Sequence, residues 1–235
     1  MQTSTPNPCK ICVSLSGATS EEILAQARTA ADQADLLEIR LDTMTTPAVA
    51  PFIGAVATPL LFTNRAAWEG GRFAGSEEER VELLRQALMA GAAFVDIELK
   101  SEATLRDGVI REAKARGSRA IVSWHNFTST PSSQGLRTIL QEQYRSSADI
   151  GKIVTMAHTY HDVLRVLDLQ NEAADIGLPL IAFCMGTVGV ISRVATLGLG
   201  GFMTYAAPPG SQGTAPGQLT ITALRAITRE LGHAH

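Results

Sequence analysis

Phe94-Val95-Asp96-Ile97-Glu98-Leu99, then Ala120-Ile121-Val122-Ser123-Trp124-His125, then Ile150-Gly151-Lys152-Ile153-Val154-Thr155-Met156 are short, mostly apolar runs. Each is separated from the next by enough chain for a helix. Apolar runs of this length, rich in β-branched residues, read as buried strands. The same alternation continues outward in both directions, with strand candidates at 11–16, 36–41 and 59–65 upstream and at 179–185 and 202–206 downstream. Each of the eight is followed by a segment that could be a helix, the weakest lying over 47–57. Thr19-x-x-Glu22 and Ser76-x-x-Glu79 are capping-box signatures at two helix starts. Val81, Leu84 and Leu88 then repeat at helical spacing, as do Val163, Val166 and Leu167 within a helix expected over 162–174. Eight strand–helix units in one chain predict a parallel (β/α)8 barrel of the TIM type spanning 11–235, preceded by a polar tail at 1–10. A doubly wound open sheet would carry a Gly-rich phosphate turn after its first strand, and Ser16-Gly17-Ala18 carries none.

Composition agrees with a single large core. The chain has 235 residues, 45% of them hydrophobic, with 20 basic against 23 acidic side chains and a net charge of −3. That length buries enough surface to fold without staples, and the charge balance gives no ground for nucleic-acid or membrane binding. No run of 18 apolar residues and no signal-like start are present, so a cytoplasmic protein is expected. The three cysteines, Cys9, Cys12 and Cys184, fit a reducing compartment better than a disulfide framework. Cys9-x-x-Cys12 lacks the second ligand pair that zinc requires, and no metal is expected there.

Parallel barrel strands should be almost wholly apolar. This chain departs from that rule near the C-terminal ends of its strands, where barrel enzymes keep their active sites. Glu38 and Arg40 are two apart and share a face; Arg65 ends the third strand with Glu69 in the turn beyond; Asp96 and Glu98 lie on the fourth; His125 ends the fifth; Lys152 lies within the sixth. Any one of these reads most simply as a solvated strand end. Together they put a cluster of costly charges at one mouth of the barrel. A Glu38–Arg40 ion pair would absorb part of it. Lys152 has two readings: a lysine neutralised by Asp96 or Glu98, or an amine that attacks a carbonyl and forms an imine. His125 is the natural general acid/base. The Gly/Pro-rich stretch 206–217 is the one long irregular loop, and its place after the last strand suits a lid.

The motifs Glu38-Ile39-Arg40, Phe62-Thr63-Asn64-Arg65, Asp96-Ile97-Glu98-Leu99, Ser123-Trp124-His125-Asn126-Phe127, Asp149-Ile150-Gly151-Lys152, Met185-Gly186-Thr187-Val188-Gly189-Val190-Ile191-Ser192-Arg193 and Ala215-Pro216-Gly217-Gln218 stand in this order. In that order, and over nearly the whole chain from Ile11, the sequence resembles the type I 3-dehydroquinate dehydratases. The resemblance implies a carbon–oxygen lyase without cofactor or metal that converts 3-dehydroquinate to 3-dehydroshikimate as a cytoplasmic homodimer. It implies a Schiff base on Lys152, His125 as general acid/base, and Glu69 and Asp96 orienting His125. Arg193 would clamp the substrate carboxylate. Ser14, Glu38, Arg40, Arg65, Met185, Tyr205, Thr214, Ala215 and Gln218 would line or contact the substrate, with Phe183 beside them. The sequence departs from the family pattern at Asn126, where Asp is usual, at Phe183, where Met is common, and in a longer, more Gly-rich lid over 207–214. The chemistry is the same in aromatic biosynthesis and in quinate breakdown. Two rivals share the barrel: a class I Schiff-base aldolase, and an idle barrel that only binds shikimate-type ligands.

Overall fold

Eight strands follow one another along the chain: β1 (Lys10–Leu15), β2 (Leu36–Arg40), β3 (Leu60–Thr63), β4 (Phe94–Glu98), β5 (Arg119–Asn126), β6 (Ile150–Met156), β7 (Leu180–Met185) and β8 (Met203–Ala206). They belong to a computed structural model that describes residues 9–211 and 217–232. The strands form one sheet in the order β7-β6-β5-β4-β3-β2-β1-β8, and every pairing is parallel. The ring is nearly closed: Phe202 N, just ahead of β8, donates to Leu180 O of β7 at 2.8 Å. The helices α1 (Ser20–Ala30), α2 (Glu77–Met89), α3 (Ala103–Ala115), α4 (Ser133–Arg145), α5 (Tyr160–Asp175), α6 (Val190–Gly198) and α7 (Ile221–Glu230) connect or follow the strands. The eight expected strands and the (β/α)8 barrel are therefore present.

One expected element is absent. Over 47–57 the chain forms no α-helix, only a 3-10 turn at Ala50–Phe52. Pro47 and Pro51 remove backbone donors from a short segment that Gly54 then ends. Phe52 nevertheless covers the barrel wall, buried edge-on against Phe62 with ring centroids 6.3 Å apart. The capping signals also differ in detail. Ser76 and Glu79 form the full reciprocal box at α2. At α1 only half of it forms, because Glu22 turns its carboxylate to Ala18 N at 2.7 Å.

The side-chain period of two sorts each strand into an outer and an inner face. Outward residues such as Val13, Ile39, Val95, Val122 and Ile153 pack under the helices. Inward residues stack in layers, as barrel interiors do. The lower layer is apolar: Cys12, Leu36, Leu61, Phe94, Ile121, Ile150, Ile181 and Met203. Two residues further along each strand the layer becomes Ser14, Glu38, Thr63, Asp96, Ser123, Lys152, Phe183 and Tyr205, all of them buried. The apolar plug forms the floor on which the polar layer stands.

Candidate active site

Lys152 projects from the middle of β6, opposite Ser123 on β5 and Ile181 on β7. It is buried, and its strand is pinned from outside by Gln143 Nε2, which donates to Lys152 O at 2.8 Å. Its Nζ donates to Asp96 Oδ2 at 2.9 Å and to Tyr205 Oη at 3.0 Å, and lies 3.9 Å from Glu38 Oε1. The Tyr205 ring lies under the same nitrogen, 4.2 Å from its centroid. Glu38 is saturated by its neighbours: the Ser14 hydroxyl donates to one oxygen and the Thr63 hydroxyl to the other, the latter at 2.8 Å.

The remaining charges of the polar layer form a chain of alternating sign. Arg65 reaches Asp96 at 2.9 Å and Glu98 at 2.8 Å. Ser123 Oγ accepts from Arg65 Nη1 and donates to Asp96 Oδ1. Arg80, on α2, meets Glu98 Oε2 at 2.6 Å and Glu77 at 2.7 Å. Burial works against the Asp96 carboxylate, but Arg65 and Lys152 outweigh it and hold its pKa well below the ordinary range. The expected Glu38–Arg40 pair does not form. Arg40 instead binds Asp42 through two parallel 2.8 Å bonds, a bidentate geometry that fixes the guanidinium plane.

His125 stands at the end of β5 and takes its partner from the turn after β3. Gly70 there has φ +78°, and a Cβ on Gly71 would lie 1.9 Å from Arg65 O. Only glycine allows a turn this tight, and the turn swings Glu69 back over β5. Glu69 Oε2 accepts the His125 backbone N–H at 3.1 Å and meets its Nδ1 at 2.8 Å. Because Oε2 already accepts one N–H, the ring Nδ1 is assigned as a second donor, and Nε2 keeps its lone pair. Burial, then the cations Arg65 and Lys152, holds His125 well below its ordinary pKa. Burial pushes Glu69 up to about 8. Asp96 shares no hydrogen bond with the imidazole; its hydrogen bonds go to Lys152 and Ser123 and its ion pair to Arg65. Asn126, at the departure from the family pattern, accepts from Thr128 and Ser129 and so shapes the following turn.

Arg193 enters from α6. It is 1% exposed, and its guanidinium stacks on the Phe183 ring 4.4 Å from the centroid. Its Nε and Nη2 are buried without a hydrogen-bond acceptor among the described residues. Burial lowers its pKa to about 10. A buried cation with no counter-ion is costly unless something binds it.

A single cavity joins these groups. Ser14, Glu38, Arg40, Arg65, Glu69, His125, Lys152, Met185, Arg193, Tyr205 and Gln218 all line it. Phe183 is also on its wall. Thr214 and Ala215 lie outside the described residues. Asp42, Thr63, Ser123 and Arg80 also belong to this network, beyond the site residues expected from the sequence. Arg80 carried a signal, since it sits four residues before Leu84 on the apolar face of α2 and is itself buried. A larger open groove beside α2, lined by Pro47, Phe73 and Glu82, holds no such constellation. Among the described residues no cluster of His, Cys, Asp and Glu is arranged to hold a metal, and no helix is long and apolar enough to cross a membrane.

Comparison with known proteins identifies the family. The family model for type I 3-dehydroquinase matches residues 11–235. A 3-dehydroquinate dehydratase of Desulfotalea psychrophila is 45% identical over 218 residues, covering 93% of this chain and 96% of that protein. The crystal structure of 3-dehydroquinate dehydratase from Geobacillus kaustophilus superposes with a TM-score of 0.88 at 31% identity, covering 96% of this chain and 91% of that one. A type I 3-dehydroquinate dehydratase from Clostridium difficile, crystallised with covalently modified comenic acid, also gives 0.88, at 28% identity over 96% of this chain and 93% of that one. With a barrel, a lysine–histidine–arginine cavity and a family match over nearly its whole length, the chain belongs to the type I 3-dehydroquinase family, an enzyme of the lyase class.

Proposed function

We propose that the cavity eliminates water from 3-dehydroquinate through a Schiff base on Lys152, with His125 moving the protons. The observation that carries this reading is one cavity holding a buried strand lysine, an imidazole bonded to Glu69 and an arginine with two buried nitrogens that have no acceptor among the described residues. Arg193 takes the substrate carboxylate, because a guanidinium fork matches that group and this one has bonds to give. The Lys152 ammonium passes protons to the carbonyl oxygen as Nζ bonds to the ring carbon, water leaves, and the protonated imine forms. The carbon next to it then becomes acidic, since the C=N bond accepts the electrons that a ketone accepts poorly. His125 Nε2 removes that proton and returns it to the departing hydroxyl. Glu69 keeps the ring oriented throughout, with Nδ1–H as its donor.

Residues 212–216 of the expected lid lie outside the described residues, and the chain on either side of them flanks the mouth in this reading. The two flanks are clasped, with Ala207 N donating to Leu219 O at 2.8 Å and Ile221 N to Ala207 O at 2.9 Å, and Gln218 lines the cavity. The enzyme works in the cytoplasm as a homodimer, for which light scattering is the direct check. Borohydride added with 3-dehydroquinate should leave a ligand-sized mass on Lys152, and turnover should produce the enone absorbance. Label on Lys100 instead, or a fully active Lys152→Ala, would overturn the assignment.

A further inference from the structure

We infer that Tyr205 is a further catalytic residue, whose phenol relays protons between Lys152 Nζ and the departing carbonyl oxygen while the imine forms. The inference rests on the Schiff-base reading above. Imine formation moves two protons from the Lys152 ammonium onto one oxygen, which leaves as water. In a buried site no bulk solvent stands ready to carry them, so a neighbouring group has to.

Of the groups that hydrogen-bond to Nζ, one can both accept and donate a proton. Nζ hydrogen-bonds to Asp96 Oδ2 and to Tyr205 Oη. Asp96 is held as the carboxylate by Arg65 and Lys152 and has no proton to donate. The more distant Glu38 already accepts from Ser14 and Thr63. Tyr205 Oη, 3.0 Å from the reacting nitrogen, is both acceptor and donor, and the side chain lines the cavity. Burial, then the charge of Glu38, pushes this phenol well above its ordinary pKa, so it keeps its proton. Its ring is fixed between Lys152 on one side and Phe183, 6.0 Å away by centroid. The oxygen therefore stays at the nitrogen rather than swinging away.

The relay balances. In the addition step Nζ passes one ammonium proton to Tyr205 Oη as the phenol passes its own to the carbonyl oxygen; the freed nitrogen pair forms the Nζ–C bond and the carbonyl π pair moves onto oxygen. In the second step the same route carries another Nζ proton to the new hydroxyl. The C–O bond breaks, water leaves, and the nitrogen pair closes the C=N bond. The phenol ends as it began, and the sum is ammonium plus ketone giving protonated imine plus water.

The test is Tyr205→Phe, which keeps the ring and removes only the oxygen. Rapid mixing with 3-dehydroquinate, quenched with borohydride at successive times, reads imine formation as mass on Lys152; enone absorbance reads the later elimination. Loss of a proton relay should slow imine formation by about a hundredfold or more, the range for general acid–base groups, and leave elimination from the formed imine within about twofold. Imine formation at the wild-type rate overturns the relay, as does equal slowing of both steps, which marks a packing role. Should the variant fail to fold, a proton inventory of imine formation in the wild type decides. Two protons in flight give a curved dependence on deuterium fraction, and a straight line overturns the relay. No label on Lys152 in the wild type overturns the Schiff-base reading and the relay with it, whereas wild-type label with an unaffected variant overturns the relay alone.

Discussion

Replacing Arg193 with Met should make the free protein more stable and the enzyme worse. Arg193 is buried, and two of its nitrogens have no acceptor among the described residues. Burial lowers its pKa from the ordinary guanidinium value to about 10, which at about 1.36 kcal/mol per pH unit corresponds to roughly 3 kcal/mol of disfavoured charge. The folded pKa lies below the unfolded one, so the unfolded chain binds more protons between the two. The penalty is therefore fully present at pH 7 and is relieved only as pH rises through about 10 toward the ordinary guanidinium value. Methionine removes the penalty and fills a similar volume. It forfeits the stacking of the guanidinium on Phe183, about 2 kcal/mol for a desolvated cation–π contact. The net gain is about 1 kcal/mol, or roughly 2–4 °C in Tm for a domain of this size. Calorimetry of ligand-free wild type and Arg193→Met at pH 7 reads it. In parallel, loss of one partner of a buried charged pair should weaken substrate binding by at least about 2 kcal/mol, roughly thirtyfold in KM. A carboxylate analogue should raise the wild-type Tm and leave that of the variant unchanged. A variant less stable than wild type, or one with an unaltered KM, would refute the idea that Arg193 is held in readiness for an anion.

Three further outcomes follow from the same geometry. His125→Gln should lower turnover by about 10²–10⁴. Because the folded imidazole titrates well below its ordinary value, the unfolded chain binds more protons as pH falls below about 6.5; the wild type should lose stability there in urea titrations, and the variant should lose less. Glu69 titrates at about 8 in the folded chain against 4.5 for the free carboxyl, so the folded state binds more protons across that interval and stability should fall as pH rises through it; Glu69→Gln, whose oxygen still accepts both His125 N–H groups, should flatten that decline, and an unchanged pH profile would count against a protonated Glu69. Gly71→Ala places a Cβ 1.9 Å from Arg65 O, so the turn must open; chemical denaturation should show a loss of at least about 1–3 kcal/mol, and turnover should fall along with it because Glu69 leaves His125.

The barrel was legible because its signal repeats. Each strand is a short apolar run bounded by turn residues, and eight weak signals in series leave few topologies. The one element that failed, over 47–57, was also the one with two prolines and a glycine, and local backbone chemistry decided it. Candidate site residues were legible for a different reason: charges such as Asp96, Glu98 and Lys152 interrupt strands that ought to be apolar. What the sequence could not supply was pairing. Glu38 and Arg40 share a face, yet Arg40 turns to Asp42, because the 3-10 turn at Leu41–Thr43 brings that carboxylate within bidentate reach. Asp96 and His125 lie on adjacent strands, but Arg65 and Lys152 occupy the carboxylate. Ser123 and Thr63 looked like ordinary strand residues until the inward layer was assembled across all eight strands.

The strand order also governs when the molecule can first work. β1 is flanked by β2 and by β8, with Lys10 opposite Met203 and Val13 opposite Ala206. The first strand to leave the ribosome must wait for the last before its second edge is paired. Until then β1 is an open template for another chain, and closing so long a loop is a slow, non-local step. Tyr205 arrives with that same final strand, so a nascent chain can present Lys152 and His125 but not a finished pocket. A translational pause before β8 should therefore leave an inactive species prone to association, and chaperone dependence should be concentrated in that interval of synthesis.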